Sequence, residues 1–518
     1  MYNIYMLLLG IITLVMTIPL ASSYLSTILI HRIAFLIVLF SSLLAYNTLY
    51  VVPLSTGIGL LGGLFQTSIL SQSLEIFILI IGGVILLLTP SGEKSSNNLI
   101  KSPALSSYWD NLTSNVLKIM PIKQNFKELK DYPLIILFTT LGMVSLISSS
   151  DLIIMFLSIE TQSFALYILA TMNRNSESAV AAGLKYFLLG GLSSCFILLG
   201  SSLIYSYTGL TNFESLNILQ SVSDISFKEV SSNYFVIGTL ILTSGLLFKI
   251  AAAPFHSWAP DVYDGVPTIV TTWLTIMPKL SILVFFMMNN FLIDPNLLMI
   301  SALLSLLLGS ITGLAQYKIK RLLAYSTISH VGLILLALSY DSINGFESAL
   351  FYISQYTLTS LNIFIVLILL GNTLDKNKIA SIYSPLQYIS QLSGQFYKNP
   401  ILSLALALSL FSMSGIPPLI GFFGKYFVIN TALINGNYFL SLVVVVTSVI
   451  SAVYYLKIVK TLFLPSIDST TIVTEDNNLS PILAQIVAML TLFIIFFMLY
   501  PTPILNSIHI IATTQYYY

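Results

Sequence analysis

Charge is what this sequence has least of. Only 8% of its 518 residues are Asp, Glu, Lys or Arg, with 21 basic and 20 acidic side chains and a net charge of +1. A typical soluble domain carries about 25%. So few charges cannot cover a water-facing globule of this size. That excludes a soluble enzyme, a disordered chain and a nucleic-acid binder with its basic surface. Cysteine is nearly absent too. Cys195 stands alone, which excludes an internal disulfide and a cysteine-ligated iron–sulfur or structural zinc centre. No histidine pair has haem-ligand context, and no metal-ligand cluster is visible. What remains is apolar: 56% hydrophobic residues and a mean hydropathy of +0.92. The class is an all-α polytopic membrane protein.

A membrane span needs about 20 mostly apolar residues. Such runs predict about fourteen transmembrane helices, near 2–20, 30–52, 68–89, 132–150, 152–171, 181–207, 233–255, 267–290, 295–316, 321–340, 345–371, 399–435, 437–464 and 481–505. The polar interruptions are 90–131, 208–232, 372–398 and 465–480. The first run starts at Met1 without a basic leader and reads as a retained span. Sorting the basic residues by loop gives a strong bias. Arg32, Lys94, Lys101, Lys118, Lys123, Lys127, Lys130, Arg174, Lys318, Lys320, Arg321, Lys376, Lys378, Lys398, Lys457 and Lys460 fall on one side, and Lys228 on the other. The positive-inside rule then predicts an even span count with both termini on the outer side.

Lys185, Lys249, Lys279 and Lys425 are left over, all inside predicted spans, as are Glu75, Glu160 and His330. Asp151 and Glu347 lie near span ends. A charge near the bilayer centre costs roughly 2.5–3.5 kcal/mol. Intramembrane charges therefore point to a polar, proton-conducting interior. The bland alternative is that a lysine snorkels to the interface or a buried pair only fixes packing. It weighs most on Lys185, about four residues into its span. Glu75, in an early span outside the two five-helix units, reads as a partner for a neighbouring subunit, with a direct transport role as the lesser alternative. His330 reads equally as a relay or as a hydrogen-bonded structural residue. His256 is expected to cap or line a helix break.

Two spans contain breaks. One reads Phe248-Lys249-Ile250-Ala251-Ala252-Ala253-Pro254-Phe255-His256; the other reads Ser414-Gly415-Ile416-Pro417-Pro418, then Gly421 to Lys425. Proline inside a helix removes a backbone hydrogen bond, and in lipid the freed carbonyl persists only where protein or water satisfies it. Taking spans 4–8 and 9–13 as two five-helix units puts a break in the fourth helix of each. Because five is odd, the second unit is inverted, and paired broken helices point to a transport path at mid-membrane. The expected organisation is three helices and a polar loop over 1–131, a first proton-channel repeat over 132–290, an inverted repeat over 291–464, and a loop with the last helix over 465–518. Gly57-Ile58-Gly59-Leu60-Leu61-Gly62 fits the dinucleotide pattern but lacks its βαβ context. It reads as a flexible loop and a chance match.

The stretch from Gly245 through Pro254-Phe255-His256-Ser257-Trp258-Ala259-Pro260-Asp261-Val262-Tyr263-Asp264-Gly265-Val266-Pro267 resembles the signature of the antiporter-like subunits of respiratory complex I. Lys185-Tyr186-Phe187, Arg321 to Gly332, and Gly415-Ile416-Pro417-Pro418 with Gly424-Lys425 agree with it. The resemblance implies a proton-translocating membrane-arm subunit, part of an NADH:ubiquinone reductase but with no redox centre or substrate site of its own. NADH, FMN, iron–sulfur clusters and ubiquinone would sit on partner subunits. Partners would be neighbouring antiporter-like and small membrane-arm subunits and membrane lipids, with no nucleic acid. It further implies that Glu160 pairs with Lys249, that Lys185 lies beside this pair, and that Lys279 and His330 carry a hydrophilic axis to Lys425. The compartment implied is the mitochondrial inner membrane, with a bacterial plasma membrane as the alternative. A cation/proton antiporter subunit of the Mrp type, or a purely structural membrane subunit, are the competing readings.

Overall fold

The computed structural model describes residues 2–20, 27–50, 57–88, 131–173, 176–226, 232–372, 384–464 and 481–516. The basic residues from Lys94 to Lys130, and Arg174, Lys228, Lys376 and Lys378, lie outside these ranges. The described chain is almost wholly helical. Helices α1 (Tyr2–Leu20), α2 (Thr27–Thr48) and α3 (Ile69–Leu86) precede α4 (Tyr132–Ile147), α5 (Leu152–Thr171) and α6 (Glu177–Thr208). Then come α7 (Phe213–Ser226), α8 (Ser232–Ile250), α9 (Trp258–Gly265), α10 (Thr268–Met288), α11 (Pro295–Leu314), α12 (Ile319–Leu338) and α13 (Ile343–Asn372). After the short α14 (Gln395–Lys398) follow α15 (Pro400–Ser414), α16 (Ile420–Ile434), α17 (Tyr438–Phe463), α18 (Pro481–Phe496) and α19 (Thr502–Tyr516). Among the described residues, ten helices are long and apolar enough to cross a membrane, and five shorter apolar helices accompany them.

Local chemistry explains where the helices start. Asp151 accepts a hydrogen bond from the Ile153 amide at 3.2 Å and caps α5. Ser68 and Ser71 form a capping box at the start of α3. Such side chains satisfy amides that have no intrahelical partner. Inside the spans, hydroxyls return to the carbonyl three residues back, as Ser305 does to Ala302 at 2.8 Å. A hydroxyl bonded in this way leaves no free polar group facing the apolar surroundings. Helix α11 lies tightly against α12, because a Cβ on Gly332 would sit 2.2 Å from the Ser305 oxygen. Small residues permit this approach, and van der Waals packing rather than hydrophobic exclusion holds membrane helices together.

The interior is formed by α10, α12 and α13. The α10 span is 94% buried, against 28% for α6. Helix α6 instead turns Leu184, Phe187, Leu188 and Leu192 outwards. Apolar side chains on an outer face suit lipid, whereas nearly complete burial places α10 where polar groups can meet.

Three segments differ from the sequence reading. Residues 57–62 belong to a two-stranded antiparallel hairpin, Ile58–Leu60 with Phe65–Thr67, rather than a plain loop. The segment 208–232 contains helix α7, and α19 follows the last span and packs on α13 and α3. His509 of α19 pairs with Glu347 of α13. Both helices mix polar residues among apolar ones, so mean hydropathy alone passes over them.

Candidate proton path

Both breaks fall where prolines interrupt the sequence. Helix α8 ends at Ile250, and Ala251 takes a left-handed φ of +63°. The Trp258 indole, at the start of α9, donates to the Phe248 carbonyl at 3.0 Å. Helix α15 ends at Ser414, and Gly415 takes φ +88° before α16 begins. Each break thus leaves a helix end inside the bundle, with carbonyls that need donors.

At the first break, the Lys249 ammonium lies 3.7 Å from the Glu160 carboxylate. It also donates to the Tyr167 hydroxyl at 3.3 Å. Two residues beyond Glu160 on α5, the buried Gln162 accepts from Ser281 of α10 at 3.2 Å. Two residues before Ser281, Lys279 is 2% exposed and donates to Thr327 of α12 at 2.9 Å. It also lies 5.5 Å from the centre of the Tyr263 ring.

One turn beyond Thr327 comes His330. Its Nδ1 lies 2.6 Å from the Tyr352 hydroxyl and its Nε2 lies 3.0 Å from the Tyr455 hydroxyl. The Tyr352 ring borders Gly424, the residue before Lys425. Lys425 is 7% exposed and donates to the Ser414 carbonyl at 2.8 Å. The Glu160–Lys249 pair thus sits at the first break, the Gln162–Ser281 bond joins α5 to α10, and Lys279, His330 and Lys425 lie buried where α10, α12 and α16 carry them inward.

Lys185 is the exception. Its side chain is 47% exposed and it pairs with Asp261 of α9. Tyr186, the next residue, is the one whose ring approaches Tyr167, at 4.8 Å. Glu75 also has partners within the chain. It accepts from Asn3 at 2.9 Å and from Gln72 at 3.3 Å, joining α1 to α3. His256 contributes its carbonyl, which accepts the Ala259 amide at 3.1 Å.

Reading the sequence missed Lys320. It is 4% exposed and donates to the Val266 carbonyl and the Ser384 hydroxyl, each at 2.6 Å. Its neighbours Lys318 and Arg321 make the stretch look like a basic loop, so no local signal sets it apart. Tyr352 and Tyr455 were missed for another reason: an apolar span does not reveal which tyrosine will reach across to a histidine. Among the described residues, no group of three or more His, Cys, Asp or Glu could hold a metal ion.

The family model described as NADH:quinone oxidoreductase/Mrp antiporter, TM, matches residues 149–451. That interval contains Glu160, Lys249, Lys279, His330 and Lys425, and Tyr455 lies just beyond it. NADH-ubiquinone oxidoreductase chain 2 of Rhizopus oryzae is 49% identical over 542 aligned residues, covering 99% of this chain and 100% of its own length. In respiratory complex I from Thermus thermophilus, one chain matches with a TM-score of 0.75 at 26% identity, over 98% of this chain and 99% of that one. A chain of the Mrp complex from Dietzia shares the fold, with a TM-score of 0.75 at 19% identity over 99% and 97% of the two chains. The chain belongs to the family of antiporter-like membrane subunits of NADH:quinone oxidoreductase, in the branch of the chain 2 proteins.

Proposed function

We propose that the chain translocates protons as a membrane-arm subunit of respiratory complex I. Energy would come from NADH oxidation and ubiquinone reduction on other subunits. The observation that carries this reading is the part-buried Glu160–Lys249 pair together with the buried Lys279, His330 and Lys425. Charges inside a membrane are costly unless they face a polar interior or one another. Buried polar groups along the same interior support it. Gln355 Oε1, the Tyr356 hydroxyl and the Asn362 amide have no hydrogen-bond partner within the described protein. Groups of this kind call for water, and a water-bearing interior is what proton transfer between separated lysines needs.

In this mechanism Glu160 holds the Lys249 ammonium by Coulomb attraction. Withdrawing or protonating Glu160 removes that hold, and Lys249 releases its proton towards Lys279. Lys279 passes it through Thr327, His330 and bound water, and Lys425 governs release on the outer side. Pairing the shorter helices across the breaks, α8 with α9 and α15 with α16, gives fourteen spans and two inverted five-helix repeats over 132–290 and 291–464. Both termini would then face the intermembrane space of the mitochondrial inner membrane. Adjacent antiporter-like and small membrane-arm subunits would be its neighbours.

The Mrp-like fold keeps a second reading in view: a cation/proton antiporter subunit with no redox partner. A native gel of mild-detergent membranes separates the two. This chain should co-migrate with a large NADH-oxidising band. Its presence only in a smaller band that exchanges sodium for protons would favour the second reading. Within the assembled complex, Lys249→Met should lower the number of protons moved per electron. An unchanged ratio would remove Lys249 from the path.

A further inference from the structure

The first break is followed by α9, an eight-residue rod packed between α6 and α12. Its carboxylates meet cations from both sides. Asp261 pairs with Lys185 of α6 and with Arg321 of α12, the latter at 3.2 Å. Asp264 pairs with Arg321 at 3.1 Å and with Lys318 at 2.7 Å. These groups are partly exposed, and such pairs contribute little each.

Lys320 differs from them. Its buried ammonium reaches the Val266 carbonyl, one residue past the end of α9, and makes no ion pair among the described residues. A cation at this end of a helix meets carbonyls without intrahelical partners and the negative end of the helix dipole. At the opposite end of α9, Trp258 holds the carbonyl of Phe248, the residue before Lys249. Tyr186 stacks on that indole with ring centres 4.9 Å apart. One end of α9 is thus fixed by Lys320, and the other carries the turn that presents Lys249 to Glu160.

We propose that Lys320 is a positioning residue, which sets the Glu160–Lys249 spacing through α9. The inference rests on the proton-translocation reading above. The attraction of a pair 3.7 Å apart varies inversely with its separation, so a displacement of α9 changes how firmly Lys249 holds its proton. Lys320 does not itself pass the proton on. Its hydrogen-bond partners, the Val266 carbonyl and the Ser384 hydroxyl, lie at the end of α9 and outside the Glu160-to-Lys425 series.

The test uses the intact complex carrying Lys320→Met or Lys320→Arg, with Lys249→Met measured alongside. Arginine keeps the charge and the donors but does not release its proton. The expected result is that Lys320→Met loses part of the proton-to-electron ratio lost in Lys249→Met, and that Lys320→Arg restores it. An arginine variant as poorly coupled as the methionine variant would overturn the proposal, because the residue would then be handing on a proton itself. A methionine variant with a full ratio would overturn it equally. Where the methionine variant does not assemble, the arginine variant decides alone: full coupling supports the proposal and lost coupling refutes it. Full pumping by Lys249→Met would instead strike the underlying site assignment.

Discussion

The two breaks use one backbone device for two electrostatic arrangements. Each turns on a left-handed residue, Ala251 at φ +63° and Gly415 at φ +88°, and each continues at the same offset into a cis bond, Ala253–Pro254 and Pro417–Pro418. Around the lysines they part. Lys249 precedes its break and faces a carboxylate at 3.7 Å. Lys425 follows its break and donates to the Ser414 carbonyl at 2.8 Å, with no ion-pair partner among the described residues. Ser414 ends α15, so its carbonyl belongs to the negative end of a helix dipole. A carboxylate can move or take up a proton, which makes the hold on Lys249 variable. A helix-end carbonyl can do neither, so the hold on Lys425 is fixed. Under the proposed mechanism, proton loading would belong to the first break, and the second would offer a site of constant character.

Glu160→Gln attacks this difference with the largest expected effect. Breaking a buried ion pair leaves a lone charge at a cost of about 3–5 kcal/mol, and even about 1.4 kcal/mol is a tenfold change in an equilibrium. Lys249 is expected to lose its charge instead, and protons moved per electron in the assembled complex should fall. In a Lys249→Met background the same change should add nothing, because both substitutions remove one interaction. A further fall in the double variant would show that Glu160 acts on something other than Lys249.

Gly415→Ala comes next and acts on the other break. An L-residue in the left-handed region costs about 1–2 kcal/mol. The added Cβ would also lie 2.9 Å from Lys425 Cδ, pushing the ammonium from its carbonyl. Lower thermal stability of the solubilised complex, together with weaker coupling, is the expected result. Ala251 already carries a side chain at its positive φ, so the two breaks differ in what they tolerate.

Tyr352→Phe should have a smaller effect. It removes the hydroxyl 2.6 Å from His330 Nδ1 while leaving the Tyr455 contact in place. The loss is about 1 kcal/mol, seen as a lower thermal midpoint with partial coupling. Wild-type coupling would show that the Tyr352 hydroxyl plays no part in proton transfer through His330.

How much of this was legible in the sequence depended on whether the signal was local. The breaks were visible because Pro254, Pro417 and Pro418 sit inside apolar runs, and a proline acts on its own helix. Lys249, Lys279 and Lys425 were visible because a charge in a span violates local composition. The partner of each was not local. Lys279 finds Thr327 two helices later, and His330 finds Tyr455 across 125 positions. Lys185 looked like a member of the path by resemblance, yet its ammonium turns to Asp261. Lys320 was hidden by the reverse effect. Its basic neighbours look like a loop, although α12 starts one residue before it.

Ser414→Ala should have the smallest effect, and for that reason it sharpens the contrast most closely. The acceptor of Lys425 is the main-chain carbonyl of Ser414, which no side-chain substitution removes. The Ser414 hydroxyl is occupied elsewhere, donating to the Phe411 carbonyl at 2.7 Å. Its loss should change stability by no more than about 0.5 kcal/mol and should barely alter proton-to-electron stoichiometry. Removing the Glu160 carboxylate, by contrast, takes away the partner itself. If Ser414→Ala lowered coupling as Glu160→Gln does, the hydroxyl would be controlling Lys425, and the second break would be variable like the first.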